Sequence, residues 1–101
     1  MMSAQVITEA EVALGHLELL TDELRSRGWR VEVAAPGDRW PCATVANPEM
    51  PAFNETVIAV LEQADRSWSF YYGWGERIAP CADVARTVAL LGRVLSTRRD
   101  A

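Results

Sequence analysis

Residues 68–78, Trp-Ser-Phe-Tyr-Tyr-Gly-Trp-Gly-Glu-Arg-Ile, bring together the side chains of this chain that are best suited to binding. They include five of the eight aromatic residues and end in an adjacent acid and base, Glu76 and Arg77. Aromatic rings offer large faces for stacking, and charged groups can orient a polar ligand. The candidate residues for binding a ligand or a partner are Trp40, Tyr71, Tyr72, Trp74, Glu76 and Arg77.

The spacing of these aromatic residues predicts a strand. Every second residue from Trp68 to Trp74 is aromatic, so these rings share one face and Tyr71 lies on the other. Core packing explains the stripe better than base stacking, because the charges around it are few and balanced. The glycines on either side of Trp74 predict a bulge or a sharp strand exit, since a phosphate loop would end in Gly-Lys-Ser/Thr.

Few other side chains have a pattern that suits catalysis. His16 is the only histidine, and it lies beside the apolar stripe of its predicted helix without an orienting partner. Ser67 and Ser69 lack the Gly-x-Ser-x-Gly turn of a nucleophilic serine, and no carboxylates are spaced to face across a cleft. Cys42 and Cys81 have no metal or redox spacing and are expected to be reduced thiols. The sequence therefore predicts a non-enzymatic protein without a cofactor or a metal ion.

Length and charge narrow the class of protein. The chain has 101 residues, which is the size of one domain, and its net charge is −4 at pH 7. Nucleic acid and anionic membranes both attract basic proteins, so neither is an expected partner. No apolar run reaches the roughly 20 residues of a spanning helix, and the N-terminus does not have the pattern of a signal peptide. We expect a cytoplasmic protein.

Two amphipathic helices are predicted, one near each end of the chain. Thr8-Glu9-Ala10-Glu11 is a capping-box pattern, an apolar stripe follows, and Gly28 supplies a stop, which gives a helix over about 8–27. Asp83 suits the start of the second helix, whose apolar residues recur at helical spacing to about residue 97.

Four strands are predicted between the helices. Residues 29–35 alternate strictly, residues 41–47 form the next strand, and the aromatic stretch forms the last. Residues 55–64 fit a helix as well as a strand, but their β-branched residues favour a strand, with a hairpin loop at 64–67. The order α-β-β-β-β-α predicts an α+β fold: a four-stranded antiparallel meander with both helices packed on one face. A helix at 55–65 would leave three strands.

Two motifs accompany the last helix: Val45-Ala46-Asn47-Pro48 and Tyr72-Gly73-Trp74-Gly75-Glu76-Arg77-Ile78. With this helix they resemble a group of small actinobacterial α+β proteins that share a Trp-Gly-Glu-Arg-Ile motif, over roughly residues 17–97. The basic residues, all of which are arginine, agree with the resemblance. The group has no established activity, so the resemblance implies a compact intracellular domain and no catalytic role.

The leading hypothesis is a binding or regulatory accessory protein that acts through protein–protein contacts. With both helices on one face of the sheet, the other face would present Ile58, Val60 and Tyr71 within a polar rim. An apolar patch of this kind usually marks an interface. We therefore expect a homodimer or another protein partner.

The alternative hypothesis is a small-molecule binder or a minor enzyme. Its pocket would lie between the sheet and the first helix. Trp40, Tyr72 and Trp74 would line this pocket, with Glu76 and Arg77 at its mouth.

Overall fold

The computed structural model describes residues 8–37 and 39–96, which form two helices and five strands. The helices are α1 (Glu9–Ser26) and α2 (Val84–Leu95), and the strands are β1 (Arg30–Ala34), β2 (Cys42–Asn47), β3 (Met50–Glu62), β4 (Ser67–Tyr72) and β5 (Arg77–Pro80). Each strand pairs antiparallel with the next, in the spatial order β1-β2-β3-β4-β5. The predicted α+β meander is confirmed, with five strands in place of four.

Local signals fix the ends of both helices. Thr8 is the N-cap of α1: its hydroxyl accepts the backbone N–H of Glu11, and the Glu11 carboxylate accepts the backbone N–H of Thr8. Gly28, just past the end of α1, has a φ of +92°, which a residue with a side chain rarely adopts. Asp83 caps α2 by accepting the backbone N–H of Arg86.

The core lies between the inner face of the sheet and the two helices. The helix α1 packs on β1, β2 and β3, while α2 packs on β5 and β3 and also touches α1. The largest fully buried side chains are those of Phe70, Leu17, Leu20, Leu24 and Leu91. Burying each such side chain contributes about 1.5–3 kcal/mol, so this layer holds the helices on one face of the sheet.

The ambiguous segment 55–64 is a strand for most of its length and belongs to β3, the longest strand at 13 residues. Strands on both sides pair with it, as in the pairs Ala43–Val57 and Ala59–Phe70. The pairing with β4 ends at Val57–Tyr72, so residues 50–56 of β3 extend past the end of β4. This overhang lies beside the turn that follows β4.

The aromatic stretch forms a hairpin: the sharp strand exit predicted at the glycines beside Trp74 is a turn, and the strand β5 that follows it was not predicted. The strand β4 ends at Tyr72, the chain turns through residues 73–76, and β5 returns along β4 from Arg77. Gly75 has a φ of +115°, and the Tyr72 N–H donates to the Glu76 carbonyl at 2.8 Å across the turn. Trp74 continues the period of two although it lies in the turn, which is why the alternation predicts it on the strand face.

The outer face of the sheet is covered by neither α1 nor α2, and its Ile58, Val60 and Tyr71 are half-buried. Both cysteines are free thiols. Cys42 is half-buried at the start of β2, and Cys81 is buried just past β5, so β3 and β4 separate them. Neither of the two described helices has the length and apolar character needed to cross a membrane.

Candidate functional site

Trp74 lies in the turn between β4 and β5, and its side chain is 65% exposed. Its ring stacks on Tyr72, with the ring centroids 5.1 Å apart and the planes within 4° of parallel. Its Nε1–H donates to Oε1 of Glu55 on β3 at 3.1 Å. Two contacts thus fix an exposed ring in one orientation. The prediction that Trp74 lies on the strand face with Phe70 is wrong, because β4 ends two residues before it.

A cleft of about 360 Å³ opens between this turn and α2. We call it the α2 cleft, and it is lined by Tyr72, Trp74, Glu76, Arg77, Ile78, Leu90, Arg93 and Val94. Val94 is 51% exposed. The cleft therefore offers apolar and aromatic walls that a ligand can reach from solvent.

Four of the six predicted residues meet at the α2 cleft: Tyr72, Trp74, Glu76 and Arg77. The helix that completes it is α2 and not α1, because α2 packs on β5 while α1 packs on the first three strands. Leu90, Arg93 and Val94 were not expected there. A signal for two of them was present, since Leu90 and Val94 are apolar at i, i+4 spacing but lie beside the core stripe of α2.

Trp40 does not line the α2 cleft. Its Nε1–H donates to the backbone carbonyl of Ala59 on β3 at 2.9 Å, and its side chain is 40% exposed. When the β2–β3 register is continued, Ala59 faces Pro41, which has no N–H to offer. The Trp40 indole therefore supplies the donor that the strand pairing lacks.

A polar cluster joins β3, β4 and β5 on the outer face. Glu62 accepts hydrogen bonds from the Ser69 hydroxyl at 2.9 Å, the Tyr71 hydroxyl at 2.7 Å and Arg77 Nε at 2.7 Å. Arg77 also donates to the Ser69 hydroxyl at 3.0 Å. The predicted residues Tyr71 and Arg77 thus meet here, and the guanidinium of Arg77 is engaged on this face although the residue also lines the α2 cleft.

The hydrogen bonds of this cluster decide its protonation. Hydrogen bonds to the carboxylate lower the pKa of Glu62 to about 2. The bond from Arg77 has the largest effect, followed by those from Tyr71 and Ser69. The pKa of Tyr71 is raised, chiefly because its hydroxyl donates to the Glu62 carboxylate. At neutral pH Glu62 is ionised and Tyr71 is protonated, so the cluster is a fixed hydrogen-bonded unit.

The remaining charges at the α2 cleft are available to a ligand. The side chains of Glu76 and Arg93 form no hydrogen bond or ion pair with any residue in 8–37 or 39–96. The pKa of Tyr72 is raised, first by burial and then by the carboxylates of Glu55 and Glu76. The carboxylates of Glu55 and Glu76 thus lie near Tyr72, and Arg93 supplies a positive charge from α2.

His16 lies away from this site. Its ring packs against Trp68 with the centroids 5.4 Å apart, and burial lowers its pKa, so the imidazole is neutral at pH 7. Within the described part of the chain, no three His, Cys, Asp or Glu side chains come together in a way that could hold a metal ion.

Comparison of the chain with protein-family models gives no match, and comparisons with curated proteins and with solved structures give none either. The resemblance to small actinobacterial proteins therefore stays a prediction.

Proposed function

We propose that this protein acts by binding a protein partner through the α2 cleft, without catalysis. The observation that carries the proposal is the ring of Trp74, which is exposed but fixed by Tyr72 and Glu55. A ring that is already ordered loses little entropy when a partner covers it. Tryptophan is also enriched among the residues that dominate interface energies.

The size of the α2 cleft supports a protein side chain as its occupant. Pockets that enclose small molecules have volumes of about 300–1,000 Å³ and bury most of the ligand surface. The α2 cleft, at about 360 Å³, is at the small end of this range and open to solvent at Val94. It suits an apolar side chain that projects from a partner surface.

The charges of the α2 cleft define this partner further. Glu76 and Arg93 offer one charge of each sign, and neither is paired with another described residue. A segment with an apolar side chain between a basic and an acidic residue would complement both charges. Such complementarity contributes mainly to specificity and to the rate of association.

Two further observations support this proposal. The first favours binding over catalysis, and the second favours an intracellular location. The most perturbed carboxylate, Glu62, has a pKa of about 2 and three donors, so it stays ionised and cannot exchange protons near neutral pH. Cys42 and Cys81 are free thiols, which is the usual state in a reducing compartment such as the cytoplasm.

We also propose that the protein forms a homodimer through the outer face of its sheet. The helices leave Ile58 and Val60 accessible on that face. The charged residues on the outer face of the strands are balanced in sign, being Arg30, Glu32, Glu62 and Arg77. In a two-fold dimer the same patch meets itself, so a balanced patch avoids repulsion between like charges.

Selection from a random peptide library displayed on phage tests the proposal for the α2 cleft. We expect the wild-type protein to enrich peptides that share an apolar residue, with micromolar Kd values by calorimetry. Val94→Glu places a charge on the apolar rim and should abolish the enrichment. Leu19→Glu is the matched control, because Leu19 is 63% exposed on α1 and outside the cleft.

The outcomes separate clearly. Binding that is lost in Val94→Glu and kept in Leu19→Glu supports the α2 cleft. If both variants enrich the same peptides as the wild type, or if the wild type enriches none, the proposal is wrong.

A further inference from the structure

A second cleft borders Trp74 and shares only this residue with the α2 cleft. We call it the β3 cleft; it measures about 360 Å³ and is lined by Asn54, Glu55, Thr56, Gly73 and Trp74. It forms where β3 extends past the end of β4. Gly73 donates its N–H to the Thr56 carbonyl at 2.7 Å. From Thr56 back to Met50, β3 has no strand paired with it on the side of β4.

The β3 cleft offers the Glu55 carboxylate as a hydrogen-bond acceptor. Glu55 uses Oε1 to accept the Trp74 N–H, while Oε2 has no hydrogen bond to any described residue. The neighbouring side chain of Asn54 points to the opposite face of β3, where it lines a different cleft with Arg30 and donates to the backbone carbonyls of Pro51 and Ala52. Glu55 Oε2 is therefore the acceptor that a ligand beside Trp74 can use.

The charge of the β3 cleft is negative. Glu55 supplies the charge, and among the described residues no basic side chain lines the cleft. This separates it from the α2 cleft, where Arg93 and Arg77 are present. The Trp74 ring stacks on Tyr72. Burial is the largest cause of the raised pKa of Tyr72, and the carboxylates of Glu55 and Glu76 raise it further.

An exposed indole adds a further attraction for positive charge. The face of an aromatic ring carries a negative quadrupole potential, and tryptophan is the best side chain for holding an ammonium or guanidinium group. Trp74 is held ready for this contact, because Glu55 fixes its edge and Tyr72 fixes its plane.

We propose that the β3 cleft binds an organic cation with N–H donors, a guanidinium or a primary ammonium group, between the Trp74 ring and the Glu55 carboxylate. An N–H group donates to Glu55 Oε2, and the charge lies against the indole. This inference does not depend on the charges of the α2 cleft, since Glu55 does not line that cleft. The cation comes either from an arginine or lysine side chain of a protein or from a small free ligand.

NMR titration of ¹⁵N-labelled protein tests the inference, with the Trp74 indole N–H and the Gly73 amide as reporters. The probes are N-acetyl-arginine methylamide, methylguanidine and N-acetyl-citrulline methylamide. We expect saturable shifts with a millimolar Kd for the arginine compound and none for citrulline, which has the same shape without the charge. Binding of the capped arginine points to a protein side chain, whereas binding of methylguanidine alone points to a small free ligand.

Two variants identify the residues responsible. Glu55→Gln keeps an oxygen for the Trp74 N–H but removes the charge, and should weaken binding at least about threefold. Glu18→Gln is the matched control on α1 and should bind the capped arginine as the wild type does. Equal binding of arginine and citrulline compounds, unchanged binding in Glu55→Gln, or no saturable shift in the wild type would each overturn the inference.

Discussion

The indole of Trp74 is 65% exposed, yet a ring stack and a hydrogen bond hold it in place. These contacts orient the side chain but remove little of its apolar surface from water. Phe70, from the same aromatic stretch, is fully buried at the centre of the sheet. Two aromatic residues of one stretch thus contribute differently to the fold, Phe70 from the core and Trp74 from the surface.

Alanine substitutions at Trp74 and Phe70 should separate these two roles. Phe70→Ala should lower the free energy of unfolding by about 3–5 kcal/mol, because it leaves a cavity in the core. Trp74→Ala should cost less than about 2 kcal/mol, since it removes a ring stack and one exposed hydrogen bond. Urea unfolding of both variants measures the difference. Equal losses would mean that Trp74 is part of the core.

At the scale of the elements, β3, β4 and β5 are joined twice, by their backbone pairing and by the Glu62 cluster on the outer face. The cluster covers Ser69, which is fully buried although it lies on the face without helices. Arg77 ties the short strand β5 to β3 across β4. The cluster therefore couples the position of β5, and of the turn before it, to the protonation of one carboxylate.

This coupling predicts a pH dependence of stability. The pKa of Glu62 is about 2 in the folded protein, below its usual value of 4.5. The ionised carboxylate therefore stabilises the fold above about pH 4.5, and this contribution is lost as the pH falls from 4.5 towards 2. Thermal unfolding should show the wild type to be more stable than Glu62→Gln at pH 7, with a difference that shrinks in this window.

Glu18→Gln serves as the control for that experiment, because it makes the same change at an exposed acid of α1 that has no partner among the described residues. It should not reproduce the pH-dependent difference. A gap between the wild type and Glu62→Gln that stays constant from pH 7 to pH 2 would contradict the role of the ionised carboxylate.

Local patterns predict most of the elements, and long-range packing accounts for what they miss. The capping box at Thr8 and the left-handed Gly28 define α1 from neighbouring residues alone. The glycines beside Trp74 predict a strand exit, but the short segment 77–80 has no pattern that predicts its return as β5. Without β5, the sequence does not indicate that α2 lies beside the turn, so the pocket is predicted against α1 and not α2.

At the scale of the whole molecule, the sheet has one face under the helices and one face open. Light scattering at low micromolar concentration should give twice the chain mass if two copies meet through the open face. Val60→Asp should shift the protein to a monomer, because a charge at the centre of that face would be desolvated in the dimer. Leu19→Glu, on α1, should remain dimeric. A monomeric wild type would refute the dimer.

The edge strands of the sheet are β1 and β5, and the overhanging part of β3 is also unpaired on one side, which has a further consequence. The overhanging part of β3 exposes Met50 and Phe53, but it contains Pro51 and an irregular register opposite Ala46 and Asn47. On the other side, β5 has four residues and ends at Pro80. Short or kinked edges that lack N–H donors are poor templates for an incoming strand. The overhang and β5 are therefore poor sites for edge-to-edge growth into fibres, and the remaining edge strand, β1, has only five residues and exposes the charged side chains of Arg30 and Glu32.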